Sequence, residues 1–412
     1  MTTGGEASAG VRRRVAVTGM GVKTPAGATV DDAWSAVLAG QSLARRLDVL
    51  CDAPVTFGCP VVDFEPRAYF AERVLRRMDR PTMLGLAAAR DAVEDAKLEL
   101  DDVPGCGVFV GTGAGGLFGI VEMVRTLQDA ELDIPAHAVP TFMPSSAAAQ
   151  ISLALAVCGP SLTFATACAS GATAIGEAAS KIRSGSCDVA VAGGVDAVLH
   201  PLVLTAFWRL GALSERTDDP ERASRPFDES RDGFVMGEGA AFVVLEEWEA
   251  AVRRGARIYG EVAGYGSTCD AFHVVAPGPG DVARRCMELA LADAGVDPAD
   301  VTHVNAHGTS TVLNDRTEAV VIRSVVPEGT PVTATKGVTG HMIGAAGAFE
   351  AIITLLSGRE NLVPPVANHV VGEGVVDVVQ GAARRIGTGP AISNSFGFGG
   401  LNASLVLVPS VV

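Results

Sequence analysis

Two stretches far apart in the chain repeat one local pattern. LTFATACASGATAIGEA (162–178) and VTATKGVTGHMIGAAGAFEA (332–351) each pass from a β-branched run through a sharp turn into a helix rich in alanine and glycine. Helices with side chains that small have little apolar area of their own to bury. They suit packing against sheets, where other elements supply the apolar area. The repetition therefore points to two related halves that bring both helix starts near the centre of one molecule about a pseudo-twofold axis. A reactive residue type stands at each turn, Cys168 in the first and His341 in the second.

Around these motifs, short β-rich runs alternate with Ala-rich helical segments. The runs are VRRRVAVTGMG (11–21), GVFVGTGAGG (107–116), SLTFATACASG (161–171) and DVAVAGGVDAV (188–198). A similar order recurs in ARIYGEVAGYG (256–266), VTHVNAHGTST (301–311), the 331–351 stretch and AISNSFGFGGLNASLVLV (391–408). This predicts an α/β fold with one half at 11–255, carrying the cysteine, and the other at 256–412, carrying both histidine motifs. RASRPFDESRDGF (222–234) and FHVVAPGPGD (272–281) read as loops. With 48 glycines and only 5% aromatic residues, the composition suits small-residue helices packed on sheets and excludes disorder and fibre.

A net charge of −15 disfavours nucleic acid or an anionic membrane as a general partner, because repulsion from phosphates opposes the approach. The sign reverses locally at Arg67, Arg73, Arg76, Arg77 and Arg80, which read either as a solvated helix face or as a basic patch. MTTGGEASAG and the following VRRR contain no apolar stretch long enough for a signal peptide, and no apolar run approaches a membrane span. A cytoplasmic protein is expected. Eight cysteines without CxxC spacing suggest neither a metal site nor a disulfide framework, and seven of them read as small buried hydrophobes.

The eighth is Cys168. It lies where a strand-like run meets the Ala/Gly helix, so its thiol would face the unpaired N–H groups and positive end of that helix, which favour thiolate over thiol. A lone buried cysteine is more often inert, and a lone histidine among glycines is structural about as often as catalytic. Here the residues have company. His307 in NAHGTST and His341 in TGHMIGAAG are flanked by Gly and small hydroxyl residues that let a substrate approach the backbone. SRPFDESRDGFVMGEGA (224–240) and NSFGFGGLN (394–402) complete the set.

Taken jointly across residues 11–408, TACASG, AHGTST, KGVTGH and NSFGFGG resemble the β-ketoacyl synthase family, specifically the carrier-protein-dependent elongating type of bacterial fatty acid and type II polyketide synthesis. The resemblance implies a thiolase-like αβαβα five-layered sandwich of two pseudo-repeated halves. It also implies a dimer, either a homodimer or a heterodimer with a chain-length factor. Cys168 would be the nucleophile, His307 and His341 its partners, and Lys336 with Glu350 a supporting ion pair. The backbone N–H groups of Cys168 and Phe398 would form the oxyanion hole. Thr309 and Thr311 fall on pantetheine-binding positions, and Ala114, Phe142, Phe207 and Phe398 on positions that line or gate the acyl pocket. Arg73, Arg76 and Arg77 fall where relatives contact the acyl carrier protein. No resident cofactor is implied, because phosphopantetheine arrives on the carrier. The chemistry agrees independently: a thiolate attacks a thioester, and two imidazole N–H donors can hold the enolate formed when malonyl loses carbon dioxide.

Two departures bear on the expected function. The usual GFGGTN reads GFGGLN, with Leu401 in place of a hydroxyl residue. Ala114 in GTGAGG stands where fatty acid elongating enzymes often carry isoleucine, leaving space for a longer or stiffer chain. The expected reaction is decarboxylative condensation in type II polyketide or polyene biosynthesis, with fatty acid chain elongation as the alternative. A non-catalytic chain-length-factor-like subunit would lack the cysteine. A coenzyme A thiolase would be expected to use a second cysteine, and NSFGFGG holds none.

Overall fold

The computed structural model describes residues 12–128 and 137–410. Five strands of the first half enter the main sheet: β1 (Val15–Lys23), β2 (Gly107–Gly111), β3 (Ser161–Phe164), β4 (Val189–Ala197) and β5 (Glu238–Glu247). Five follow from the second: β6 (Gly260–Cys269), β7 (His303–Asn305), β8 (Pro331–Thr333), β9 (Ala391–Gly397) and β10 (Leu401–Pro409). Their spatial order, β3-β2-β4-β5-β1-β6-β10-β9-β7-β8, runs through the two halves as mirror-ordered sets, and the short strand Asp377–Val378 extends the β8 edge. Within the sheet, among the described residues, the halves pair at Ala16 with Glu261 and Val17 with Gly260.

Four helices explain the layering. α1 (Arg80–Ala96) covers the outer face of the first half, and α3 (Asp281–Ala294) that of the second. α2 (Ser170–Arg183) and α4 (Ala346–Glu360) lie between the half-sheets within one large apolar cluster. The result is the expected αβαβα sandwich. α4 is buried continuously from Ala346 to Gly358 because protein surrounds it on all sides, which is why its sequence lacks a polar face. α1 is bounded by local signals: Asp79 caps it by accepting from the Thr82 amide, Pro81 sits in its first turn, and Lys97 ends it in the left-handed region.

The small residues of α2 and α4 have a reciprocal purpose. A Cβ on Gly171 would come 2.9 Å from the Ala348 nitrogen, and one on Gly347 would come 2.9 Å from the Ala172 nitrogen. Each glycine lets the opposite backbone approach, so the pseudo-twofold axis passes between them. Three residues before each glycine stand Cys168 and Gly344, each preceded by a residue with φ of 50°, Ala167 and Ile343. This corrects the sequence alignment: the counterpart of Cys168 is Gly344, and His341 lies upstream of it. In the first half only residues 165–166 separate β3 from the turn; in the second, residues 334–342 intervene and bring Lys336 and His341.

Two other expectations change. β5 is absent from the β-runs read in the sequence, because its centre, GAAFVVL (239–245), is continuously apolar rather than alternating. The strand is covered on both faces, and periodicity alone does not separate such a strand from a buried helix. Cys51, Cys158 and Cys269 are exposed, so fewer cysteines than seven are buried fillers. Among the described residues no helix is long and apolar enough to cross a membrane.

Candidate active site

Cys168 occupies a 3-10 turn (Ala167–Ala169) that runs directly into α2. The left-handed Ala167 bends the chain sharply after β3, and Ser170 stabilises the bend by accepting from the Thr166 amide at 3.0 Å and donating to the Ala167 carbonyl at 2.6 Å. His307 follows β7. Its amide and that of Gly308 donate to the buried Glu318 carboxylate at 2.7 and 2.8 Å, fixing the loop from behind. Burial pushes Glu318 up to about 7, with the Gly308 and His307 amides pulling it back. His341 is held between the short helix Lys336–Thr339 and the turn at Ile343–Ala345.

These three segments converge. The Cys168 thiol and one ring nitrogen from each of His307 and His341 all lie within 4.8 Å of one another, and all three residues are buried. The imidazole planes stand 82° apart with centroids 5.3 Å apart, and Phe234 packs edge-on against His341.

Hydrogen bonds settle which nitrogens carry protons. The Lys336 ammonium donates to Glu350 Oε1 at 2.5 Å and to the His307 carbonyl at 2.6 Å, and its Nζ lies 3.2 Å from His307 Nδ1. An ammonium can only donate, so that Nδ1 accepts and the proton sits on Nε2. His341 Nδ1 accepts from the Ile343 amide at 3.2 Å, which again leaves the proton on Nε2, a buried nitrogen without a hydrogen-bond partner among the described residues. Burial holds both histidines well below the ordinary imidazole range; Lys336 adds to this for both, and His341 for His307. Both rings are therefore neutral donors. Cysteine and two histidines form a familiar zinc donor set, but a protonated Nε2 has no lone pair for a metal, and the neighbouring ammonium opposes a cation.

The thiol itself departs from expectation. Burial pushes Cys168 up to about 11; Lys336 and the amides of Phe398 and Cys168 pull it down, while Asp196 opposes them. Desolvation outweighs the helix terminus, so the resting group is a thiol rather than a thiolate. Alkylation of the Cys168 peptide by iodoacetamide, followed by mass spectrometry, is expected to rise about tenfold per unit between roughly pH 7 and pH 9. A plateau in that window would show a thiolate already formed.

The remaining expected residues divide. A cavity of about 540 Å³ opens onto Cys168, His307 and His341, and Thr309, Thr311, Phe207 and Phe398 line it. The Thr309 and Thr311 hydroxyls are 2.9 Å apart. Phe207 and Phe398 pack with ring centroids 6.0 Å apart. Ala114 and Phe142 do not line this cavity. Ala114 belongs to the adjoining apolar cluster, and half-buried Phe142 lies against Gly116. Arg73, Arg76 and Arg77 are exposed. Leu401 opens β10 opposite Cys269. Sequence reasoning missed Glu318, Phe234 and Asp196. A carboxylate inside the apolar run of β4 was the one available signal for Asp196.

A buried thiol flanked by two proton-bearing imidazoles, at the centre of a thiolase-like sandwich, defines a condensing enzyme. The family models for the β-ketoacyl synthase N-terminal and C-terminal domains match residues 12–251 and 259–370. The chain belongs to the β-ketoacyl synthase family and is an acyltransferase. It is 42% identical over 417 residues to the 3-oxoacyl-[acyl-carrier-protein] synthase 2 of Rhizobium meliloti, covering 96% of this chain and 98% of that one. Among solved structures it resembles the ishigamide ketosynthase/chain length factor, with a TM-score of 0.91, 35% identity and coverage of 97% and 100%. It also resembles a type II PKS acyl-carrier protein in complex with its ketosynthase bound to the hexaketide, with a TM-score of 0.88, 31% identity and the same coverage.

Proposed function

We propose that the chain condenses malonyl-carrier protein with an acyl chain held on Cys168, releasing carbon dioxide and forming a β-ketoacyl thioester. The observation that carries this reading is the pair of neutral imidazoles, each with its proton on Nε2, converging on one thiol. In loading, the Cys168 sulfur bonds to the acyl carbon, the thioester bond to pantetheine breaks, and the thiol proton leaves with the pantetheine sulfur. The amides of Cys168 and Phe398 hold the oxyanion. Malonyl then loses carbon dioxide, and its electron pair becomes an enolate whose oxygen accepts from His307 and His341. The enolate carbon attacks the acyl carbonyl, and the Cys168 sulfur leaves and takes up a proton from solvent. Lys336, anchored by Glu350, keeps the His307 proton on the reacting side.

No resident cofactor enters these steps, since the pantetheine arm arrives on the carrier and runs past Thr309 and Thr311. Arg73, Arg76 and Arg77 supply the local positive charge that an acidic chain needs to dock an acidic carrier. Strand β3 is an exposed sheet edge, with Leu162 41% and neighbouring Leu153 75% exposed, which suits pairing with a second copy or a chain-length factor.

The acyl chain is assigned to type II polyketide or polyene biosynthesis on the strength of Ala114, which does not line the cavity itself but packs in the same apolar cluster as the cavity-lining Phe207 and Phe398. The relative from Rhizobium meliloti supports fatty acid chain elongation as a second reading. Incubation with acyl- and malonyl-carrier proteins, read by mass spectrometry, tests both. An acyl group on Cys168 and a carrier-bound β-ketoacyl product are expected, and a folded protein yielding neither would overturn the function. Ala114→Ile is expected to shorten the products while short primers still turn over at the wild-type rate; unchanged product length would favour fatty acid elongation.

A further inference from the structure

Asp196 lies near the end of β4, is fully buried, and takes part in none of the steps above. Its carboxylate accepts four hydrogen bonds, two at each oxygen. Thr112 Oγ1 at 2.8 Å and the Ala114 amide at 3.0 Å bond Oδ1; the Gly113 and Gly344 amides, both at 2.7 Å, bond Oδ2. That uses every lone-pair site of an ionised carboxylate. All four donors are neutral, and neither 112–116 nor 343–346 contains a titratable side chain. Burial pushes the group up to about 6 and the donors pull it back, so the anion is held almost entirely by oriented N–H and O–H dipoles. The titratable group on which its charge acts is the Cys168 thiol.

What the carboxylate joins is the informative part. On one side is the 112–114 loop, which carries Ala114 and continues through Gly115 and Gly116 onto Pro144 and Phe142. On the other is Gly344, the pseudo-symmetric counterpart of Cys168, immediately after Ile343, whose amide orients His341. The two segments come from opposite halves of the chain.

We propose that Asp196 is a positioning residue that locks the 112–114 loop to the Gly344 turn, so that one carboxylate fixes the apolar cluster in which Ala114 and Ile343 pack with Phe207 and Phe398, the two aromatic side chains that line the cavity. It acts through Ala114 and Ile343 and touches no reacting atom. The proposal rests on the condensing function proposed above. An asparagine at this position would keep one acceptor oxygen but aim an amide N–H₂ at two of the four donors, releasing the loop.

The test compares wild type, Asp196→Asn and Asp196→Glu, each checked for fold by circular dichroism. Acyl loading of Cys168 is measured from carriers bearing short and long chains, beside alkylation of Cys168 by iodoacetamide. Asp196→Asn is expected to lose on the order of a hundredfold in long-chain loading, the effect of roughly 1 Å of misplacement. Short-chain loading and alkylation should change far less, and Asp196→Glu should recover most of the long-chain rate. Wild-type long-chain loading in a folded Asp196→Asn, equal loss for short and long chains, or equal loss in Asn and Glu variants would each overturn the proposal. A wild-type protein that loads no chain at all would instead overturn the condensing function.

Discussion

Replacing His341 with alanine is expected to leave Cys168 able to take an acyl group from its carrier, while malonyl decarboxylation slows by about two to three orders of magnitude, the usual loss for one oxyanion donor. In the proposed mechanism loading requires only the thiol and the amides of Cys168 and Phe398, which already reach the sulfur. Decarboxylation, as proposed, creates an enolate whose charge is met by the two Nε2–H donors, and removing one leaves His307 alone. The His341 Nε2 is buried and has no hydrogen-bond partner among the described residues, so no protein group competes with an incoming oxygen for its proton. Cys168→Ala should behave in the opposite way: no acyl-enzyme forms, yet some carbon dioxide is still released from malonyl carrier protein. Acyl-enzyme mass and carbon dioxide release, scored separately, decide the matter. A folded His341→Ala that fails to load, or that decarboxylates at the wild-type rate, would show that the histidine is not assigned to the enolate.

Lys336→Met is expected to be the most destabilising single change in the site, by about 3–5 kcal/mol, because it strands the Glu350 carboxylate without its cation. Lys336 is 1% exposed and Glu350 is fully buried, and their contact is 2.5 Å. Burial already pushes Glu350 upward, with Lys336 as the principal opposing influence. The pair is not irreplaceable for folding, however. Lys336→Met combined with Glu350→Leu removes both charges and should recover most of the lost stability in urea unfolding. Activity should not return, because His307 Nδ1 then lacks its donor and the ring is free to carry its proton on the wrong nitrogen. Recovery of both stability and decarboxylation in the double variant would reduce the pair to a structural element.

The stability and activity readouts thus separate two functions of one buried cluster. Glu318 belongs to the same cluster. It holds the amides of His307 and Gly308, just as Lys336 holds the His307 carbonyl, so the ring is fixed from both its backbone and its Nδ1.

Much of this was legible in the chain itself. The repeated β-turn-helix motif pointed to two related halves with both helix starts near the centre, and the structure adds that the helices meet where Gly171 and Gly347 let the opposite backbone approach. Cys168, His307 and His341 could be named from their motifs, each a reactive group beside small residues that let a substrate approach the backbone, and Lys336 and Glu350 from the family resemblance those motifs carry. Tertiary structure decided the rest, and for one reason: it sets burial and direction, which neighbours in sequence do not report. The thiol sits near 11 rather than below the ordinary range because desolvation outweighs the helix terminus. Each imidazole proton is assigned by a donor on a different segment, Lys336 for one ring and the Ile343 amide for the other. Gly344, not His341, mirrors Cys168, because residues 334–342 are extra chain whose path only the fold reveals. Asp196 reads as a stray charge in an apolar strand until the 112–114 loop and the Gly344 turn, remote in sequence, are seen to close around it.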